Sequence, residues 1–156
     1  MSSRAAALLF AAASFASVIA ALVAQHGFGM QPCPWCILQR IVFVLIGLVA
    51  LGAALAGGVL RRMLGLLIAP LALAGAAAAL YQHFVAAKSS SCDLTLADRL
   101  IRGLRLDSLL PAVFEVRGSC ADAAVDLFGV PFEFWSLALF VLLAVGGFVL
   151  ARGAPR

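Results

Sequence analysis

Charge is scarce in this chain. Asp, Glu, Lys and Arg make up 12% of its 156 residues, where soluble domains carry roughly 25%. Apolar residues take 65%, against roughly 45–50% in an ordinary soluble domain. A water-soluble fold of this size leaves a large fraction of its surface exposed and has too few polar groups here to cover it. A soluble globular protein is therefore excluded. One Tyr, two Trp and no low-complexity basic tract also argue against a nucleic-acid-binding module, despite a formal net charge of +4. What remains is an integral membrane protein.

The scarce charges leave long gaps. No Asp, Glu, Lys or Arg occurs from Ala5 to Gln39, from Ile41 to Leu60, from Met63 to Ala87 or from Phe134 to Ala151. A helix needs about 20 apolar residues to cross the hydrocarbon core of a bilayer. The first run is too long for one crossing, and Gln25, His26, Gly27, Gly29, Gln31 and Pro32 mark where it ends. Four spans follow, at 5–25, 36–60, 64–87 and 132–151. They are helices, because four strands cannot close a barrel that satisfies its backbone in lipid. The fold class is an all-α four-transmembrane-helix bundle. A cytoplasmic turn at 61–63, after the loosening Gly57-Gly58 pair, makes the second and third spans a hairpin, and Pro70 is expected to kink the third near its inner end. A cleaved secretory signal would also begin with a basic residue and an apolar run, but the run here exceeds the usual signal core.

Arg4, Arg61, Arg62, Arg152 and Arg156 flank the spans on one side with no acidic residue among them, which places both termini and the 152–156 tail in the cytoplasm. The loops at 26–35 and 88–131 then face outward. Within the longer loop, Leu96, Ala97, Leu100, Ile101 and Leu104 share a helical face opposite Asp98, Arg99, Arg102 and Arg105, and Thr95 with Asp98 resembles a capping box. A short amphipathic helix follows, lying in the membrane interface or packed on the rim of the bundle.

All four cysteines fall on that outward side, where disulfides persist. Cys33 and Cys36 form Cys-Pro-Trp-Cys at the mouth of the second span, and Cys92 and Cys120 bracket the amphipathic segment. Four cysteines allow three connectivities; local closure favours Cys33 with Cys36, leaving Cys92 with Cys120. A Cys92–Cys120 bridge suits a loop staple. A ring as short as Cys33–Cys36 restrains little chain, which favours redox chemistry. No second CxxC or His spacing completes a zinc site, so no metal is expected. Pro34 puts Cys36 near a helix N-terminus, whose partial positive charge favours an anion. Arg40 lies one turn deeper on the same face, where its guanidinium would stabilise a Cys36 thiolate; the alternative is an arginine reaching to lipid headgroups. Electrons arriving there need an acceptor, and a lipid-soluble quinone is the one at hand.

Together these elements resemble the DsbB family, bacterial inner-membrane enzymes that reoxidise the periplasmic dithiol oxidase DsbA. The resemblance covers nearly the whole chain: Gln25-His26, Pro32-Cys33-Pro34-Trp35-Cys36 followed by Arg40, Tyr81-Gln82-His83, Cys92-Asp93, and Gly118-Ser119-Cys120-Ala121 leading through Asp126 and Gly129 to Trp135. It implies that a DsbA-like thioredoxin-fold partner attacks Cys92 of a Cys92–Cys120 disulfide. Cys120 then engages Cys33, releasing Cys36 to pass electrons to ubiquinone or menaquinone, with Arg40 positioning the quinone. His83 and Gln25 are further candidates for the quinone site, His83 as a hydrogen-bond or proton donor; Trp135 is expected to be an interfacial anchor. The Pro-Trp dipeptide itself looks like a thioredoxin-type active site.

Two other readings compete. A vitamin K epoxide reductase-like enzyme would use a similar bundle, but that family places its loop cysteines before the CxxC, and here Cys33–Cys36 comes first. A non-enzymatic four-helix subunit with stapling disulfides would have inert thiols and tolerate loss of the Arg40 charge.

Overall fold

A computed structural model describes residues 2–88 and 95–152. In chain order it contains α1 (Ser3–Phe28), α2 (Pro34–Leu55), α3 (Gly58–Phe84), a 3₁₀ turn at Ala86–Lys88, α4 (Leu96–Gly103), α5 (Leu106–Leu109), α6 (Pro111–Phe114), a hairpin of β1 (Asp126–Leu127) and β2 (Val130–Pro131), and α7 (Phe132–Arg152). Helices α1, α2, α3 and α7 are each long and apolar enough to cross a membrane, and the protein is a multi-pass, all-α membrane protein.

Local signals set the helix ends. Ser2 caps α1, its hydroxyl accepting the Ala5 amide, and Gly29 closes the same helix with φ +69°, a left-handed conformation that costs glycine little. That αL cap carries α1 three residues past Gln25. Cys33 is itself the N-cap of α2, with Pro34 in the first turn. The break between α2 and α3 falls at Ala56-Gly57, ahead of the arginine pair. Gly58 takes φ +52°, and Arg61, already helical, folds back so that its guanidinium donates to the Ala53 and Ala56 carbonyls at 3.1 and 2.6 Å. These are orphan acceptors at the end of α2, so Arg61 closes the turn instead of lying in it. Helix α3 runs unbroken through Pro70, which removes one rung of its ladder.

Helix α3 packs most extensively on α7, and α2 lies between α1 and α3. Small residues permit the α3–α7 contact: a Cβ added to Gly147 would lie 3.0 Å from the Gly65 carbonyl. Phe140 of α7 stands over Gly75 and stacks on Phe43 with ring centroids 4.0 Å apart. Lipid tails are as apolar as leucine, so close van der Waals packing of this kind is what holds spans together.

The long loop sits on the cysteine-bearing end. Thr95 and Asp98 form the capping box of α4. The apolar face of α4 divides: Ala97 and Ile101 are buried, Ile101 against Ile37, Ile41 and Phe114, while Leu96, Leu100 and Leu104 remain exposed. The β-hairpin turns through Phe128 (φ +56°) and Gly129 (φ +78°), a pair of positive φ angles that two-residue hairpins of type I′ require.

Candidate functional site

Three sulfurs meet at the start of α2. Cys33 is fully buried, and as N-cap its sulfur accepts the Cys36 amide at 3.3 Å. The Cys33 and Cys36 sulfurs lie in non-bonded contact at 3.0 Å, both cysteines being free, as is Cys120. Cys120 arrives from the far loop because that loop docks on Pro32, whose carbonyl accepts the Arg117 and Gly118 amides at 3.0 and 3.2 Å. A Cβ on Gly118 would lie 2.9 Å from the Gln31 side chain, so glycine is what lets the two segments approach. Ser119 and Asp122 cap each other across the turn that carries Cys120, and the Ser119 hydroxyl and amide hold the Asp122 carboxyl below the usual range.

The electrostatics of the cluster are uneven. Cys33 hydrogen-bonds to Cys120 and Cys36, and these contacts together with burial push its thiol above the ordinary range. Cys120 is held below that range, first by the bond from Cys33 and further by the Trp35 amide, against the opposing effect of its own burial. Of these two sulfurs, Cys120 is the one better able to carry charge. Cys92 lies outside the described residues.

Behind Cys36 opens a cavity of about 330 Å³, lined by Cys36, Gln39 and Arg40 of α2, Gln82 of α3, Glu133 and Trp135 of α7, and small residues of α1 that include Ala20, Ala21 and Ala24. Arg40 is buried and donates to the Gln25 side-chain carbonyl, to the Val113 carbonyl at 2.9 Å and to the Ala21 carbonyl at 3.4 Å. All three acceptors are neutral. Gln82 bridges two groups: its carbonyl accepts from Gln39 at 2.8 Å and its amide donates to the Cys36 sulfur at 3.3 Å. Apolar walls with a few convergent polar groups, at a volume near the lower end of roughly 300–1,000 Å³, are the usual character of a small-molecule site.

The residues singled out in the sequence take different places. Cys36 and Arg40 line the cavity. Gln25 does not; it lies behind Arg40 and holds the guanidinium. His83 stands outside the lining and reaches it through Glu133, with Nδ1 2.7 Å from Oε1. His26 bonds the Ala112 carbonyl at 2.9 Å and ties α1 to α6. Half-exposed Trp135 also lines the cavity and donates to the Leu127 carbonyl of the hairpin at 3.4 Å. Gln39, Gln82 and Glu133 were not anticipated as site residues. The available signal was a polar side chain within an apolar span, which is costly unless it faces a partner or a cavity.

A cluster of free thiols, one of them opening onto a polar-lined cavity in a four-span bundle, defines a membrane thiol–disulfide oxidoreductase. The chain belongs to the DsbB family: the family described as Disulfide bond formation protein DsbB matches residues 3–150. It is 38% identical over 146 residues to Disulfide bond formation protein B of Ralstonia nicotianae, covering 92% of this chain and 90% of that one. The protein of the same name from Cupriavidus metallidurans is 35% identical over 153 residues, covering 96% and 91%. Disulfide bond formation protein B 1 of Pseudomonas savastanoi pv. phaseolicola is 37% identical over 127 residues, covering 80% and 75%. The protein is accordingly an oxidoreductase of disulfide-bond formation, which sets aside the vitamin K epoxide reductase-like and purely structural readings.

Proposed function

We propose that the protein oxidises a DsbA-like thioredoxin-fold dithiol protein in the periplasm and delivers the electrons to ubiquinone or menaquinone in the bacterial inner membrane. The observation that carries this reading is the position of Cys33, in contact with Cys36 on one side and Cys120 on the other. One sulfur thereby links the loop to the cavity.

The relay runs by thiol–disulfide exchange. A partner thiolate attacks Cys92 of a Cys92–Cys120 disulfide, and Cys120 departs as a thiolate; a low thiol pKa makes a good leaving group. The second thiol of the partner attacks its own sulfur in the mixed disulfide and frees Cys92. Cys120 attacks Cys33, forming Cys33–Cys120 and releasing Cys36 as a thiolate beside Arg40 and Gln82. Cys92 then displaces Cys33 from Cys120, restoring Cys92–Cys120 and leaving Cys33 and Cys36 as a reduced pair. A bound quinone supplies the acceptor for two electrons. Arg40, Gln39, Gln82 and Glu133 fit its oxygens, and Phe43, Trp135 and the α1 alanines fit its ring. Gln25 acts through Arg40 as a positioning residue, and His83 acts through Glu133. Arg4, Arg61, Arg62 and Arg152 gather near the helix ends opposite the cysteines, which supports cytoplasmic termini and periplasmic loops.

The test is a trap. With a reduced thioredoxin-fold partner whose second cysteine is replaced by serine, attack on the Cys92–Cys120 disulfide is expected to accumulate a mixed disulfide through Cys92, with Cys120 as the leaving thiolate, identified by peptide mapping. Linkage through Cys33 would contradict the order.

A further inference from the structure

Glu133 is anomalous for a residue in the first turn of a membrane-spanning helix. Its side chain is 2% exposed, and it is the one carboxyl group among the described residues that line the cavity. One oxygen is bound to His83 at 2.7 Å. The other, Oε2, has no hydrogen-bond partner among the described residues. An unsatisfied buried oxygen is uncommon in a native fold and calls for a cause, such as a catalytic role. A purely structural ion pair gives no account of it, because such a pair would leave the second oxygen desolvated without compensation.

His83 extends the line outward. It occupies the last turn of α3, at the cysteine-bearing end, and its side chain is 30% exposed. Phe84 and Phe134 contact its ring, with centroids 4.9 and 4.7 Å away. The arrangement reads from the edge of the protein inward as His83, then the Glu133 carboxyl, then the cavity that Glu133 lines. The other ionisable groups facing this space are Cys36 and Arg40 of α2; α1 contributes only alanines and Ser17.

We propose that Glu133 is the proton donor of the quinone-reducing site, reloaded through His83 from the aqueous edge. The inference rests on the quinone reading above. In one turnover Cys33 and Cys36 lose two S–H bonds and two electrons and gain one S–S bond, while the quinone gains two O–H bonds. The thiol protons leave to water at the mouth when the thiolates form. Glu133 gives its carboxyl proton to a quinone oxygen, its carboxylate is reprotonated by the His83 Nδ1–H as the ring takes a proton from water at Nε2, and the transfer is repeated once. Protons released and protons taken up are equal. Cys36 supplies electrons from one wall while Glu133 supplies protons from another, so one group need not serve both ends.

The experiment compares the intact protein with Glu133→Gln, which keeps the size of the side chain and a bond to His83 but cannot carry the proton. The first readout needs no quinone: infrared spectra are expected to show a protonated-carboxyl band that shifts in deuterium oxide and is missing in Glu133→Gln. The second uses a short-chain ubiquinone analogue. Quinol formation is expected to fall about 10²-fold, the scale of a general acid, with little change in Michaelis constant. Formate is expected to restore part of the rate in Glu133→Ala, which a merely structural role would not permit. Thermal unfolding measured on the same samples controls for folding; should Glu133→Gln not fold, His83→Gln takes its place with the same expected loss. An unaltered rate and pH profile in Glu133→Gln, a loss that formate does not rescue, or the absence of the carboxyl band would each overturn the proposal. Wild-type protein that forms no quinol would instead overturn the quinone reading, and the infrared band would still decide whether Glu133 holds an exchangeable proton.

Discussion

Arg40→Met separates electrostatic function from structural support. Arg40 is 6% exposed and has no carboxylate in ion-pair contact among the described residues; its acceptors are the Gln25 side chain and the Val113 and Ala21 carbonyls. Removing the guanidinium orphans the buried Gln25 Oε1 and the part-buried Val113 carbonyl, at up to about 1–3 kcal/mol each. The same change relieves a buried cation that lacks a counter-ion, whose desolvation costs several kcal/mol. These effects oppose each other, so the net change in stability is expected within about 2 kcal/mol of zero. Catalysis has no such offset. Negative charge develops in the cavity only when Cys36 is released and electrons move on, and removing one pre-placed electrostatic group of this kind costs about 2.7–4 kcal/mol, or 10²–10³ in kcat. The assay follows quinol formation from a reduced thioredoxin-fold partner, with thermal unfolding measured on the same samples. Arg40→Lys keeps the charge but not the fork that reaches Gln25 and Val113 from Nη1 and Ala21 from Nη2, and is expected to recover only part of the rate. A kcat close to wild type in Arg40→Met, or a rate that falls only in step with the folded fraction, would refute the reasoning.

Two further outcomes concern the thiols and their supports. Gln82→Leu removes a donor to Cys36 and orphans the Gln39 amide; a lost bond and a buried unpaired donor together predict a loss of about 2–4 kcal/mol in unfolding free energy, whereas Gln82→Glu is expected to slow alkylation of Cys36 by like-charge repulsion. In the fully reduced protein with Cys92→Ser, Cys120 is held low by Cys33, and Cys33 is pushed up by Cys120, Cys36 and burial. A lowered folded-state value keeps the Cys120 thiolate present as pH falls, so the midpoint of its alkylation profile is expected below the usual ~8.5, while Cys33 stays a thiol across the same range. Unfolding in denaturant should bring the two profiles together; profiles already coincident in the native protein would contradict the sulfur arrangement.

The bundle was legible because transfer into lipid imposes a simple rule: charges must be absent for about 20 residues at a time. Helix ends were less so. Arg61-Arg62 looked like the turn, but a long side chain can reach back along the chain, and Arg61 caps α2 from within α3. The spacing of Cys33, Cys36 and Arg40 could be read directly, since positions on one helix follow from its period. Gln39, Gln82 and Glu133 depend on how three helices are rotated against one another, and no local pattern encodes that rotation. The approach of Cys120 was equally hidden, resting on amides of Arg117 and Gly118 that meet one carbonyl at Pro32. Gln25 reads in the sequence as a polar residue at a span boundary and a candidate for the quinone site, but its task of holding Arg40 joins two helices and appears only once they are packed.

The central claim is that Cys36 is the sulfur from which electrons leave the protein for a quinone. The most direct measurement is quinol formation by purified wild-type and Cys36→Ser protein, each supplied with reduced thioredoxin-fold partner and a short-chain ubiquinone. The account predicts continuous quinol formation with wild type and none with Cys36→Ser, while the partner still forms a mixed disulfide through Cys92 in both. Quinol formation persisting in Cys36→Ser would contradict it.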